Sequence, residues 1–172
     1  RQFLRTAGQT AAVLAAASTA APSILAASES SRTIGVGCIG LGTRGGDLLN
    51  VLAGTPDVKV VAVSDVYGPH RQKGIERSRN PDAKASADYR ELLADPNVDA
   101  VHINSTIPDH AWQSIAALKA GKHVACTVPM ATTVEECREI VRLVRELPVP
   151  VVAEAGLAPT IVDVDAFAVQ NA

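Results

Sequence analysis

Between residues 33 and 155 the chain alternates two patterns. Near-continuous apolar runs, TIGVGCI (33–39), VKVVAVS (58–64), VDAVHIN (98–104), KHVAC (122–126) and VPVVAEA (149–155), have the length and Val/Ile/Ala content of strands covered on both faces. The segments between them carry apolar residues at helical spacing. One follows a glycine-rich turn and sets Leu48, Leu49 and Leu52 on one side. Residues 69–79 read as a polar, Arg- and Lys-rich helix with little apolar face. DYRELLA (88–94) reads as a short helix opened by Asp88, with Glu91 completing a capping box, and ending before Asp95-Pro96. Ala111, Ile115 and Leu118, with Trp112 beside them, mark a helix that Gly121 stops. Thr132 or Thr133, with Glu135 or Glu136, caps a last one whose stripe is Val134, Cys137, Val141 and Val144. Strand and helix in alternation predict a doubly wound α/β domain over 32–156, a parallel sheet of about six strands with helices on both faces.

The chemistry is concentrated at the end of the first two runs. The first breaks into Gly40-Leu41-Gly42-Thr43-Arg44-Gly45, and the second ends in Asp65, about 20 positions beyond Gly45. This is the spacing of a dinucleotide-binding turn, and it makes the predicted sheet Rossmann-type. Gly40 permits the tight turn, Gly42 lets backbone approach a pyrophosphate, and Gly45 lets the helix pack close to the sheet. A helix N-terminus then faces the anion. An acid at position 65 accepts the hydroxyls of an adenosine ribose and meets a 2′-phosphate with like charge, so NAD is the expected cofactor. Arg44 and Arg71 keep NADP as the alternative.

Other candidates lie along the same edge of the sheet. Ser105 and Thr106 end a strand where the strand order reverses, and read equally as cofactor contacts or as a helix N-cap. His110, in the first turn of the next helix, is a candidate nicotinamide-side residue. Glu154 ends the last strand on the cofactor side, within reach of the nicotinamide ribose. His102 and His123 read as structural histidines, and Lys122, at the opposite edge, as solvated.

Composition narrows the class. The 172 residues are 47% hydrophobic and 20% charged with a net charge of −2, as in a globular protein. With no basic excess and 3% aromatic residues, nucleic acid is not an expected partner. Cys38, Cys126 and Cys137 lack metal-ligand spacing and read as structural thiols, so no metal site is expected. Residues 1–31 differ from the rest: before the first carboxylate, Glu29, there are two arginines and ten alanines. RQFLR resembles the latter part of a twin-arginine export motif whose first arginine would precede Arg1. The uncharged stretch 6–28 is only weakly apolar, which favours a removable signal and linker over a stable membrane anchor. The expected partner is the twin-arginine machinery and the expected compartment periplasmic. The alternative is an Ala-rich arm on a cytoplasmic protein.

GCIGLGTRG (37–45), VVAVSDVY (60–67), DYRELLADPNVDAV (88–101), PDH (108–110) and above all ALKAGKHVACTVPMATTVEEC (117–137) resemble the N-terminal domain of the glucose-fructose oxidoreductase, inositol dehydrogenase and rhizopine-catabolism (Gfo/Idh/MocA) family, over 32–155. The resemblance implies NAD or NADP bound by this domain, with Pro108 and Pro129 joining Gly40, Leu41, Gly42, Thr43, Arg44, Gly45, Asp65, Ser105, Thr106 and His110 around it. It implies a sugar, cyclitol or related polyol as substrate, a second α/β domain through which a homo-oligomer forms, and residues 157–172 as a poorly ordered tail leading toward that domain. One departure bears on chemistry. Where the family reads Glu-Lys-Pro, with a lysine that relays a proton, this chain has Thr127-Val128-Pro129, and valine carries no proton. A related branch, the NAD-dependent N-acetylgalactosaminidases, is similar in reading Val-Pro there and cleaves glycosides by transient oxidation. The family's Thr-Pro-x-x-x-His pattern also shifts, with Ile107 between Thr106 and Pro108 and Trp112 in the histidine's place. The expected function is therefore an exported NAD(P)-dependent oxidoreductase. The alternatives are a redox-assisted glycoside hydrolase and a non-catalytic dinucleotide-binding module.

Overall fold

In the computed structural model, which describes residues 33–147, 151–154 and 159–161, the apolar runs pair into one sheet. Its strands are β1 (Ile34–Ile39), β2 (Val58–Ser64), β3 (Lys84–Ser86), β4 (Ala100–Ile103), β5 (His123–Thr127), β6 (Val151–Glu154) and β7 (Pro159–Ile161), in the order β3-β2-β1-β4-β5-β6-β7. The first six run parallel, and β7 pairs antiparallel with β6. Helices α1 (Thr43–Leu52), α2 (Gly68–Ser78), α3 (Tyr89–Ala94), α4 (Ile107–Lys119) and α5 (Val134–Glu146) link successive strands. The signal segment expected at 1–31 lies outside the described residues.

Both faces of the sheet are covered, as a parallel sheet requires. Leu49 of α1 and Ile75 of α2 pack on Val36, Cys38, Val60 and Val63. Leu92 of α3, Leu118 of α4 and Leu143 of α5 pack with Val101, Ile103, Val124 and Cys126. Because β1 and β4 are neighbours and their connections leave toward opposite faces, a crevice opens between their carboxyl ends. Ile39 is aligned with Ser64 on one side and Ile103 on the other, so the loops that follow all three strands meet there.

Two strands escape the hydrophobic pattern. β3 has three residues, none fully buried, and its edge position needs no apolar face, so no apolar run marks it in the sequence. β7 lies within the 157–172 tail, where 159–161 pair antiparallel with β6; the rest of that tail is outside the described residues. The cap of α5 is Thr133 with Glu136, a complete capping box. Its buried side is Ile140 and Leu143, with Val144 and Leu147 packed beside them, while Val134 and Cys137 are exposed. The first turn of the predicted stripe is therefore turned to solvent, and only its Val144 end reaches the core. Asp88 caps α3 by accepting the Arg90 amide.

Lys122 is not solvated. Its ammonium donates to the carbonyls of Asp95 (3.0 Å) and Val98 (2.8 Å), tying the turn before β5 to the loop before β4. Asp95 accepts from Lys84 at 2.7 Å, and that bond, with the Asn97 amide, holds its carboxyl below the usual range.

The cysteines also part company. Cys38 and Cys126 are buried in β1 and β5, whereas Cys137 is exposed on α5. Burial pushes the Cys38 thiol up to about 12 and the Cys126 thiol up to about 11. Both therefore stay protonated near neutrality, and it is thiolate that reacts. We expect a maleimide dye at neutral pH to label Cys137 alone in the native chain and all three cysteines after denaturation, read by intact mass. Labelling of Cys38 at the same rate as Cys137 would contradict this packing. Unfolding returns both buried thiols to the ordinary range, so the stability they carry is complete below that range and falls as alkali takes the pH through it.

Candidate dinucleotide-binding cleft

The turn off β1 is shaped by three glycines that do different things. Gly40 has φ of 80°, a left-handed conformation, and a Cβ there would lie 2.5 Å from backbone of Asn104 and Ser105. A Cβ on Gly45 would lie 1.9 Å from the Gly40 carbonyl oxygen, so α1 sits against the turn only because that position is bare. Gly42 is the opposite case. Nothing lies within 4 Å of where its Cβ would be, and it is the N-cap of α1 with no side-chain cap. The chain has left a space at the positive end of a helix that a side chain would fill, which is the shape a pyrophosphate requires.

Asp65 is bound to that turn. Its carboxylate, on a side chain only 10% exposed, accepts the Leu41 amide at 2.7 Å and the Tyr67 amide at 2.8 Å, with His70 Nδ1 3.2 Å away. A carboxylate has about four acceptor sites, so these three neighbours leave it room for one further donor. The glycine turn and Asp65 are thus one hydrogen-bonded unit. Arg71 donates through Nη1 to the Asp65 and Val66 carbonyls, which fixes the loop and occupies that group on backbone. The other cation considered for a 2′-phosphate, Arg44, is half-buried in the first turn of α1.

The opposite wall follows β4. Ser105 donates to Gln113 Oε1 and Thr106 to Asp109 Oδ2. Thr106 occupies the N-cap position of α4, but its hydroxyl makes no capping bond to the helix backbone. Asn104, which the sequence does not single out, joins three elements: it accepts from Thr127 Oγ1 at 2.6 Å, its Nδ2 lies 2.7 Å from His102 Nδ1, and its amide donates to the Ile39 carbonyl.

His110 is 2% exposed, and both ring nitrogens face backbone carbonyls, Nδ1 toward Pro129 at 2.9 Å and Nε2 toward Ser105 at 3.1 Å. It ties the loop after β4 to the loop after β5 and keeps no open nitrogen for a proton relay. The peptide between Val128 and Pro129 is cis, and Val128 is 43% exposed rather than buried, so a longer residue there meets solvent.

Gly40, Gly42, Asp65, Ser105 and Thr106 share one cleft of about 710 Å³. Leu41, Thr43, Arg44, Gly45, Pro108, His110 and Pro129 stand behind or beside it, outside its lining. Tyr67, His70, Tyr89, Arg90 and Trp112 join the lining, although the sequence named none of them as a cofactor contact. A smaller hollow of about 390 Å³, beside Lys59 and Asn97, opens at the amino ends of the strands, the edge at which open α/β sheets do not take ligands. Among the described residues no group of His, Cys, Asp or Glu could hold a metal ion, and no helix is long and apolar enough to cross a membrane.

Residues 34–154 match the model of an oxidoreductase family with an NAD-binding Rossmann fold, that of the Gfo/Idh/MocA proteins. Inositol 2-dehydrogenase of Salmonella typhimurium is 36% identical over 110 residues, 63% of this chain and 32% of that protein. A glycosyl hydrolase family 109 protein of Saccharopolyspora erythraea is 33% identical over 120 residues, 66% of this chain and 26% of that protein. Among solved structures, KijD10, a 3-ketoreductase from Actinomadura kijaniata in complex with NADP and TDP-benzene, is similar with a TM-score of 0.66 and 26% identity, over 72% of this chain and 37% of that one. The chain spans about a quarter to a third of the length of these relatives.

Proposed function

The chain belongs to the Gfo/Idh/MocA oxidoreductase family, and from that premise we propose that it supplies the NAD(P)-binding domain of an exported oxidoreductase acting on a sugar, cyclitol or related polyol, with NAD the expected cofactor. The observation that carries the cofactor assignment is the open space over Gly42 beside a carboxylate already tied to the same turn. Bound there, NAD supplies a hydride acceptor. The α1 amides would hold the pyrophosphate, Asp65 would take the adenosine ribose and disfavour a 2′-phosphate, and the Asn104 and His110 bonds keep the loops after β4 and β5 in place. Thr127 and Val128 stand where a proton relay would be needed, and Val128 cannot serve. On this reading the base that takes the substrate's hydroxyl proton comes from outside these residues.

The same valine favours a second reading, glycoside cleavage through transient oxidation, and the similarity to a glycosyl hydrolase family 109 protein supports it. Export rests on the Ala-rich, acid-free composition of 1–28 and on RQFLR.

The full-length protein, assayed with NAD against sugars, cyclitols and aryl glycosides, is expected to oxidise polyols slowly, with Val128→Lys raising turnover. Aryl glycoside cleavage by the wild type would select the second reading. Vigorous wild-type oxidation that is lost on removing an acid–base residue within 1–172 would overturn the catalytic layout.

A further inference from the structure

Trp112 is the only tryptophan of the chain and lies 41% exposed in the cleft wall. A large aromatic left open in a cleft, rather than sunk in the core, asks for a partner. Its surroundings fix the ring rather than fill the space before it. The indole N–H donates to Asp109 Oδ1 at 3.1 Å, and the ring meets Tyr89 edge-on, centroids 5.1 Å apart at 66°. Tyr89 is itself backed by Arg90, whose guanidinium carbon sits 4.9 Å from the ring centroid. Two contacts, one of them backed by Arg90, thus pin an aromatic surface that water still reaches.

The topology says what would cover it. Tyr89 opens α3, the helix that follows β3, so a ring packed on it lies on the β3–β2 side of the switch point. Asp65 ends β2 on that same side. A dinucleotide with its pyrophosphate over Gly42 and one ribose on Asp65 runs its adenine further in that direction, between the loop after β2 and the helix after β4. The nicotinamide end runs the other way, toward Val128. Trp112 and Asp65 line one continuous cleft, while Val128 is not in its lining.

Resting on the cofactor reading above, we propose that Trp112 is the stacking platform for the adenine ring of the dinucleotide. Any purine face can stack on an indole, and truncating such an aromatic weakens binding about tenfold. The platform carries affinity; NAD over NADP is left to Asp65.

The single indole makes the test direct. Emission excited selectively at tryptophan is followed while the 172-residue chain is titrated with NAD, ADP-ribose, AMP and nicotinamide mononucleotide, with calorimetry in parallel. NAD, ADP-ribose and AMP are expected to quench the emission and shield it from acrylamide, and nicotinamide mononucleotide to leave it unchanged. Trp112→Ala is expected to lose about tenfold in NAD affinity and Trp112→Phe to retain most of it. Calorimetric NAD binding without quenching, or Trp112→Ala binding NAD as the wild type does, would overturn the platform. Because the quenching arm uses wild-type protein, it stands even if the alanine variant does not fold. Failure of the wild type to bind NAD in the calorimeter would overturn the cofactor reading itself, and the platform with it.

Discussion

Gly42→Val is expected to abolish NAD binding while leaving the fold intact. No atom lies within 4 Å of the position its Cβ would take, so the free protein accommodates a side chain there. The pyrophosphate does not, because a branched side chain occupies the space over the first amides of α1. We expect at least a hundredfold loss of affinity, ~2.8 kcal/mol, with little change in melting temperature. Gly45→Ala should do the reverse. Its Cβ would lie 1.9 Å from the Gly40 carbonyl oxygen, so α1 must shift before any ligand is considered, and the melting temperature should fall. A Gly42→Val chain that binds NAD as the wild type does would remove the pyrophosphate from this turn.

Asp65→Ala is expected to change which cofactor is preferred. Removing the carboxylate takes an acceptor from the ribose of NAD, a charge-assisted bond of about 1.5–3 kcal/mol, and removes the like charge that a 2′-phosphate would meet. The two effects act in opposite directions on NADP and in one direction on NAD, so the NAD:NADP affinity ratio should fall by about tenfold or more. The Leu41 and Tyr67 amides also lose their acceptor, so some affinity for both cofactors goes with the loosened turn. That shared loss cancels in the ratio. Equal losses for both cofactors would make Asp65 a clamp on the glycine turn and nothing more.

What could be read from the sequence was what depends on backbone. The runs that form β1, β2, β4 and β5 are near-continuously apolar because both faces are covered, and the glycines announce themselves because Gly40 and Gly45 cannot carry a Cβ where they sit. Asp65 could be placed at the end of β2 by counting. Its bond to Leu41 could not, because that depends on the register of β2 against β1. β3 was missed because an edge strand of three residues needs no apolar face, and β7 because its pairing partner, β6, decides it. On α5 helical spacing offered more than one apolar line, and packing chose Ile140 and Leu143 over Val134 and Cys137. Lys122 looked like a surface lysine until the carbonyls of Asp95 and Val98 were folded up to it. His110 sat at the right edge of the sheet for chemistry. Only the fold shows that Pro129 and Ser105 take both its nitrogens. Tyr89 and Trp112 are far apart in sequence and belong to helices after different strands, so no local pattern could bring them to one wall.

The most direct test of the central claim is calorimetric titration of the 172-residue chain with NAD and NADP at equal ionic strength. Saturable one-to-one binding of NAD is expected, with weaker binding of NADP and none by Gly42→Val. Absence of NAD binding to a wild-type chain that circular dichroism shows to be folded would contradict that claim.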